Sequence, residues 1–464
     1  MGLLDAAWSA LGEHPAALPL VRDHGDAVPL DSALPVGQFV YDAIAAASLS
    51  AALLAARRTG SAVPTVELDP LRVATAVTSE RHYRLAGEPM AAWAELSGFW
   101  PTADGWVRTH ANYPNHRERL LSALALPAET TADELLVHLH GRSAEVVEAL
   151  VSDRGGIVVR VATEPEWRAS EEAQVIAKQP LLRFERIGDA PAKALEDTTV
   201  DAPARGIRVL DLTRVIAGPV ATRTLALWGA DVLRIDPPQY PELPAQHFDT
   251  GAGKRSALVD LDAQHELFET LLEGADVVVL GYRSGALDRF GLSPEALAAR
   301  HPGIVVARLT AWGDVGPFAD RRGFDSIVQA ASGISWLESA DPQKPGALPA
   351  QVLDHSAGYL LAAGVTSALR KRLDEGGSWL IETSLARVAA ELLDAPREAR
   401  VEHPAWLPTV ITRGELTTAA PAPHYDGGPE DWSTPAVAWG SSRAGWLPRG
   451  EQKPTAIAKG RGRR

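Results

Sequence analysis

The stretch that most constrains this chain is residues 207–238, IRVLDLTRVIAGPVATRTLALWGADVLRIDPP. Ile207–Leu212 is a short apolar β run. A loop holding Gly218-Pro219 follows, then a helix from Ala221 to Trp228 that Gly229 stops. Asp231–Ile235 is a second β run, ending in Asp236-Pro237-Pro238. Further β runs are predicted at Ser256–Asp260, Asp276–Leu280 and Ile304–Leu309. Helices are predicted between them, at Asp262–Glu273 and at Pro294–Arg300 with Ser293 as its N-cap. Short apolar strands alternating with helices imply parallel βαβ units with helices on both sheet faces. Residues 355–373 read as a long Ala/Leu-rich helix whose last-turn bases, Arg370-Lys371-Arg372, complement its dipole. The turn Gly376-Gly377 then leads to a strand, Trp379–Thr383, and a helix from Ser384.

Composition narrows the function classes. With 46% hydrophobic and 22% charged residues in 464, the chain can bury sizeable cores. Its net charge of −14 argues against a nucleic-acid binder, which carries a basic face. The absence of cysteine excludes disulfides, thiolate-held metals and a cysteine nucleophile. The sequence shows no signal-peptide pattern, and no apolar run reads as the roughly 18–20 residues of a membrane span. The expectation is a soluble, cytoplasmic protein with neither nucleic acid nor membrane as a partner.

The chain divides near residue 200, where 190–206 lacks apolar periodicity and reads as a linker. Before it lies an internal echo. Leu34–Ala76 and Leu348–Ala390 share a Leu-Pro start, an aspartate (Asp42 or Asp354), a small-residue helix, a basic pair and a glycine turn. Both then have a strand carrying a glutamate, Glu67 or Glu382, and this shared order points to duplication. Segment 396–446 is rich in Pro, Gly and Trp and reads as loop. The basic end, 447–464, reads as a disordered tail.

The first βα turn places backbone N–H groups where a phosphate or carbonyl could sit. It is not a dinucleotide fingerprint, because only Gly218 stands where three glycines are needed. Asp236, at the end of the second strand, suits either a ribose hydroxyl or a solvated turn. No phosphate-binding G-x-x-x-x-G-K-[ST] loop, G-x-S-x-G elbow or H-E-x-x-H motif occurs. His110 and His116 stand without other ligand types around them, so no metal site is expected. Asp354 ends an apolar run and opens the long helix. It reads either as a plain N-cap or as a carboxylate nucleophile that the helix dipole keeps ionised.

Taken together, these motifs resemble the class III CoA-transferases. The resemblance runs through residues 207–395 on VLDLTRVIAGPVATRTLALWGADVLRID, GKRSALVDLD, LEGADVVVLGYRSGALDRFGLSPEALAARHPGIVVARLTAWGDVGPFADRRGFDSIVQAASG and LPAQVLDHSAGYLLAAGVTSAL. Residues 104–169 are similar to the family's smaller domain, which here precedes the nucleotide domain instead of following it. The resemblance implies an α/β fold, a Rossmann-like parallel-sheet large domain plus a smaller α+β domain. Residues 1–90 would be a degenerate copy of the catalytic-helix region packed on the large domain. Residues 91–195 would form the small domain, 196–206 the linker, and 207–395 the CoA-binding catalytic domain. Residues 396–446 would return to the large domain.

The resemblance also implies chemistry. Asp354 would be the nucleophile. CoA would be held by Val215, Ile216, Ala217 and Gly218, by Arg234 and Asp236, by Lys254 and Arg255, by Tyr282 and Arg283, and by Arg322. CoA and acyl-CoA would be substrates, with no cofactor bound permanently, and a carboxylic acid would accept CoA. The family is often an interlocked homodimer. A racemase of the same family needs a histidine where this chain has Phe324, so that activity is disfavoured. A non-catalytic acyl-CoA-binding or partner-subunit paralogue is the alternative reading. A nicotinamide dehydrogenase is disfavoured by the missing glycines.

Overall fold

The computed structural model describes residues 2–89, 93–397 and 402–449. In it the strand–helix alternation builds a seven-stranded sheet from β1 (Arg183–Gly188), β2 (Arg208–Leu212), β3 (Asp231–Asp236), β4 (Lys254–Leu258), β5 (Val277–Leu280), β6 (Val305–Thr310) and β7 (Ser378–Ser384). The spatial order is β4-β3-β2-β5-β6-β7-β1. Strands β2 to β7 run parallel to one another, and β1 runs antiparallel against β7. The fold is the expected α/β class, and its first six strands follow the doubly wound order, which reverses between β2 and β5. The crevice beyond the strand ends at such a reversal is where ligands bind in open α/β sheets. All of β5 is buried, as a central strand covered on both faces must be.

Two boundaries differ from expectation. β1 lies in the stretch assigned to the small domain but belongs to the large sheet. Its sequence, RFERIG, carries no apolar run because an edge strand has only one strand neighbour, so periodicity does not mark it. The segment 396–446 holds a hairpin, Val410–Arg413 with Leu416–Ala419, that pairs with Arg84–Leu85 of the N-terminal region. Beyond the hairpin the chain runs irregularly across the large domain. Trp432 Nε1 donates to Arg223 O and Trp446 Nε1 to Leu271 O, each at 2.9 Å. The expected tail is anchored at its start, where Leu447 N donates to Asp231 at 3.0 Å. Residues 450–464 lie outside the described residues.

Three helices fill the space over one sheet face: α1 (Val36–Thr59), α2 (Ala217–Leu227) and α3 (Val352–Asp374). The echoed helices α1 and α3 pack along each other and are buried over most of their lengths. Their alanines let the backbones approach, and Ser50 Oγ donates to Ala363 O at 2.8 Å across the seam. Contrary to the expectation from sequence, α1 is long and apolar enough to cross a membrane. Here its apolar surface is consumed by the core, with 89% of its most apolar window buried. The strand after α1, Val66–Glu67, pairs with Val21–Arg22 outside the large sheet.

The smaller unit is a three-stranded antiparallel sheet, Gly98–Pro101, Trp106–Thr109 and Val158–Arg160. Helices Pro114–Ala123, Ala132–His140 and Ala144–Asp153 bury Leu120, Leu135 and Val147 in its core. It sits over the crevice and supplies side chains to it.

Candidate active site

The loop between β2 and α2 forms the floor of the crevice. Val215 has φ +70°. A β-branched residue rarely adopts that left-handed conformation, and strain of this kind collects at functional sites. Glu242 holds the loop by accepting Val215 N at 3.2 Å. Gly218 is required by contact: a Cβ there would lie 2.3 Å from Thr213 Cβ. Gly358 on α3 plays the same part for the neighbouring helix, since a Cβ would meet Ala217 O at 2.5 Å. These two close approaches bring the loop and the start of α3 together, and with them Val215 and Asp354.

Asp354 is not the N-cap. It is the third residue of α3, whose N-cap is Gln351, and its own N–H donates to Asp325 Oδ2 at 3.0 Å. The carboxylate that caps α3 therefore comes from Asp325, across the crevice wall. Asp325 also accepts from Gln329 Nε2. Burial pushes the Asp325 carboxyl up to about 6, against the pull of the Asp354 and Leu353 N–H groups and Gln329. Asp354 is pushed well above the usual carboxylate range, first by burial and then by the charge of Asp325. Asp325 has the fixed N–H donors, so of the two carboxyls it is the one favoured to hold the negative charge and Asp354 the one favoured to hold the proton. The dipole effect expected from sequence is outweighed by a like charge and by the loss of water.

Two spaces meet at Asp354. The outer one is an open cleft of about 400 Å³, and the inner one is a narrow chamber of about 50 Å³. Val215, Phe324 and Asp354 line both. Arg119, Arg283 and Arg322 line the cleft. Burial, then Arg119 and Arg283, lower the Arg322 pKa, which is the mark of guanidiniums crowded without a counter-ion. Among the described residues, Arg119 and Arg322 hydrogen-bond only the carbonyl of Gly155, at 3.4 and 3.3 Å. His116 is brought down to about 4 by burial and these cations, so it is neutral. The cleft is thus built to take a polyanion.

Of the residues expected from sequence, Val215, Ala217, Gly218, Tyr282, Arg283, Arg322 and Asp354 line the cleft, and Ile216 lines the chamber. The other four are elsewhere. Arg234 makes a bidentate pair with Asp236 at 2.7 and 2.9 Å and bonds Glu242 at 2.8 Å, all buried. Burial raises Glu242, and Arg234 and Arg214 outweigh it, bringing it down to about 2. This buried cluster supports Arg214, which does line the cleft. Lys254 bonds Asp211 at 3.1 Å and Pro219 O at 2.8 Å, bracing the loop from behind. Arg255 pairs with Asp231 at 2.7 Å, at the opposite end of the sheet from the crevice. These basic residues sit on strands, where alternation turns them into the interior or to the wrong end. The sequence did not flag Arg119, which the small unit brings in, Arg214, which precedes Val215 in the β2–α2 loop, or Asp325, which opens the helix Asp325–Ala331.

The chamber is lined by Glu80, Tyr83, His110, Asp249 and Ser326 among others. Among the described residues, each of these five has a buried polar atom without a partner: Glu80 Oε2, Tyr83 OH, His110 Nδ1, Asp249 Oδ1 and Ser326 Oγ. Unpaired buried polar atoms cost stability unless a ligand or water meets them. His110 stacks on Phe324, with ring centroids 3.7 Å apart and planes 6° from parallel.

Residues 205–403 match the sequence model of CoA-transferase family III. Similar curated proteins include an acyl-CoA transferase of Gibberella moniliformis, 32% identical over 54% of this chain and 47% of that protein. A probable fatty acyl-CoA transferase of Mycobacterium tuberculosis, Rv3272, is 33% identical over 41% of this chain and 52% of its own. A crystal structure of Rv3272 superposes with a TM-score of 0.39, covering 41% of this chain and 56% of that one. The alpha subunit of a succinyl-CoA–L-malate CoA-transferase from Chloroflexus aurantiacus is 32% identical over 41% of this chain and 49% of its own. The chain spans about half the length of the curated relatives it matches.

Proposed function

We propose that this chain transfers CoA from an acyl-CoA donor to a carboxylic acid, with Asp354 as the nucleophile. The observation that carries the reading is the position of Asp354, in the family III segment, where an arginine-lined cleft meets a narrow inner chamber. The cleft arginines would hold the phosphates of CoA, and the chamber would receive the acyl group.

In the first step an ionised Asp354 oxygen attacks the thioester carbonyl. The C–S bond breaks, CoA leaves as the thiolate, and an acyl–aspartyl anhydride remains. The thiolate then attacks the aspartyl carbonyl and releases the donor acid as its carboxylate, giving an aspartyl-CoA thioester. The acceptor carboxylate attacks that thioester, forming a second anhydride and the thiolate. Attack of the thiolate on the acceptor's acyl carbon yields the new acyl-CoA and restores Asp354. Splitting the exchange this way replaces one difficult acid-to-acid step with activated ones. The N–H groups of the β2–α2 loop would stabilise the tetrahedral oxyanions.

One experiment separates this reading from the binding-only alternative. Wild-type protein incubated with an acyl-CoA and then hydroxylamine should carry a hydroxamate on the peptide spanning Asp354. Asp354→Asn should fold and lose nearly all exchange. Full exchange by Asp354→Asn would leave binding without catalysis at Asp354.

A further inference from the structure

Asp354 stands at a neck. Val215, Phe324 and Asp354 line both the outer cleft and the inner chamber, so traffic between the two passes these side chains. Phe324 is clamped there by the parallel ring of His110, 3.7 Å away and itself buried. In the proposed exchange CoA fills the cleft, and its sulfur reaches Asp354 at this neck. Once the thiolate has returned, CoA is bonded to the aspartyl carbonyl. At that stage the donor acid still has to leave and the acceptor still has to arrive. A neck filled by the arm of CoA lets neither past, so the exchange needs a second way into the chamber.

The chamber has one. On its far side it meets a vestibule of about 440 Å³ along Glu80, Trp93, Ser326 and Gln351, which line both spaces. Arg81, Pro89, Trp93 and Ala347 line the vestibule and are exposed, so it opens to solvent. Gln351 and Asp354 are three residues apart on the first turn of α3, about 4.5 Å along its axis, so the way to the reacting carboxyl is short. At the junction Glu80 Oε2 and Ser326 Oγ are buried with no partner among the described residues. Unpaired atoms in a wall cost stability unless water or a ligand meets them. Burial, and then the charge of Asp249, pushes Glu80 up to about 7, so near neutrality it does not stand as a full negative charge in the way of an anion.

The vestibule also carries a cation with no carboxylate of its own. Arg84 is spent on the carbonyls of Arg81 and Tyr83, both at 2.7 Å, and Arg81 reaches Pro349 O. Arg108 is held differently. Its guanidinium lies over the rings of Phe99 and Trp93, 4.7 and 5.1 Å from their centroids. Among the described residues it makes no ion pair, and its buried Nε has no partner. A guanidinium fixed on two rings with donors unspent draws carboxylates from solvent to the junction. We infer that the free carboxylic acids of the exchange enter and leave through this vestibule, steered by Arg108, while CoA occupies the cleft. This inference rests on the proposed transferase reading and adds to it the route of the second substrate.

The chain has no cysteine, so one introduced thiol is unique. Thr250→Cys places it on the chamber wall, outside the linings of cleft and vestibule. The probes are the anionic sulfonatoethyl and cationic trimethylammonioethyl methanethiosulfonates, with labelling followed by mass spectrometry with and without saturating CoA. Rates are taken relative to those with a free thiol. CoA should slow the anionic reagent less than threefold, and that reagent should outpace the cationic one at least tenfold. Adding Arg108→Gln should slow the anionic reagent at least tenfold and the cationic one less than threefold. Threefold or greater protection by CoA would make the cleft the entrance and overturn the inference. An anionic rate unchanged by Arg108→Gln would overturn it too, as would a thiol that neither reagent reaches. Ser326→Cys, at the junction, serves should Thr250→Cys fail to fold, and the CoA comparison stands without Arg108→Gln. Labelling needs no turnover, so full exchange by Asp354→Asn would sink the transferase mechanism and leave the measured route standing.

Discussion

Lys254 was expected to touch CoA, and the structure gives it a different task that can be measured. Its ammonium is buried against Asp211 and Pro219 O, 3.1 and 2.8 Å away. Asp211 also accepts Thr213 N at 3.1 Å, Thr213 Oγ1, and Thr222 Oγ1 at 2.6 Å. Lys254→Met removes the cation and leaves a buried carboxylate with neutral donors only. Breaking a buried pair in this way costs about 3–5 kcal/mol. Burial, only partly offset by Asp211, lowers the Lys254 pKa from 10.5 to about 8. At about 1.4 kcal/mol for each pH unit, holding the ammonium inside the fold costs about 3 kcal/mol. The pair therefore contributes little net stability, and the double variant Asp211→Asn/Lys254→Met should lie within about 2 kcal/mol of wild type. Below pH 8 the lysine is charged in both folded and unfolded chains, and its cost is fully present. Between pH 8 and 10.5 the folded chain has lost that proton and the unfolded chain keeps it, so this group's contribution to stability rises with pH. Urea denaturation across pH 7–10 should show that rise in wild type and not in Lys254→Met. CoA affinity of the double variant should stay within a few-fold of wild type. A folded double variant with CoA binding weakened a hundredfold would refute the structural role and return Lys254 to the phosphate site.

Two further outcomes follow from the carboxylates. Asp325→Asn keeps an oxygen to cap α3 but removes the charge that helps to hold the Asp354 proton, so the acid limb of kcat/KM for acyl-CoA should move to lower pH; an unmoved pH profile would mean that the two carboxyls do not interact. Asp42, the echo of Asp354, accepts Gln38 Nε2 at 2.6 Å and Leu4 N at 3.1 Å, which pins the N-terminal helix. Asp42→Asn should cost about 1 kcal/mol or less and leave exchange intact, and loss of exchange in the folded variant would move the working carboxylate to Asp42.

What could be read from the sequence followed the range of the forces involved. The sheet strands were legible because burial on both faces writes itself as apolar runs, as at Val277–Leu280 and Val305–Thr310. Ser293 was legible as a cap because a cap is a local hydrogen bond, here to Ala296 N. The edge strand Arg183–Gly188 was not, since an edge needs no apolar run. The glycine loop was found, but the positive φ of Val215 was not, because that strain is imposed by the packing of Gly358 and the grip of Glu242. Basic residues were the least legible. Arg234, Lys254 and Arg283 look alike in a sequence, and only the third faces the cleft. Which cations stay unpaired depends on carboxylates far away in the chain, such as Glu242 and Asp211. The same holds for Asp354. Its helix start suggested an ionised carboxylate, and the decisive neighbour, Asp325, comes from another helix and takes the N–H groups that Asp354 would otherwise have used. The pair, rather than either residue alone, is therefore the unit on which activity should depend.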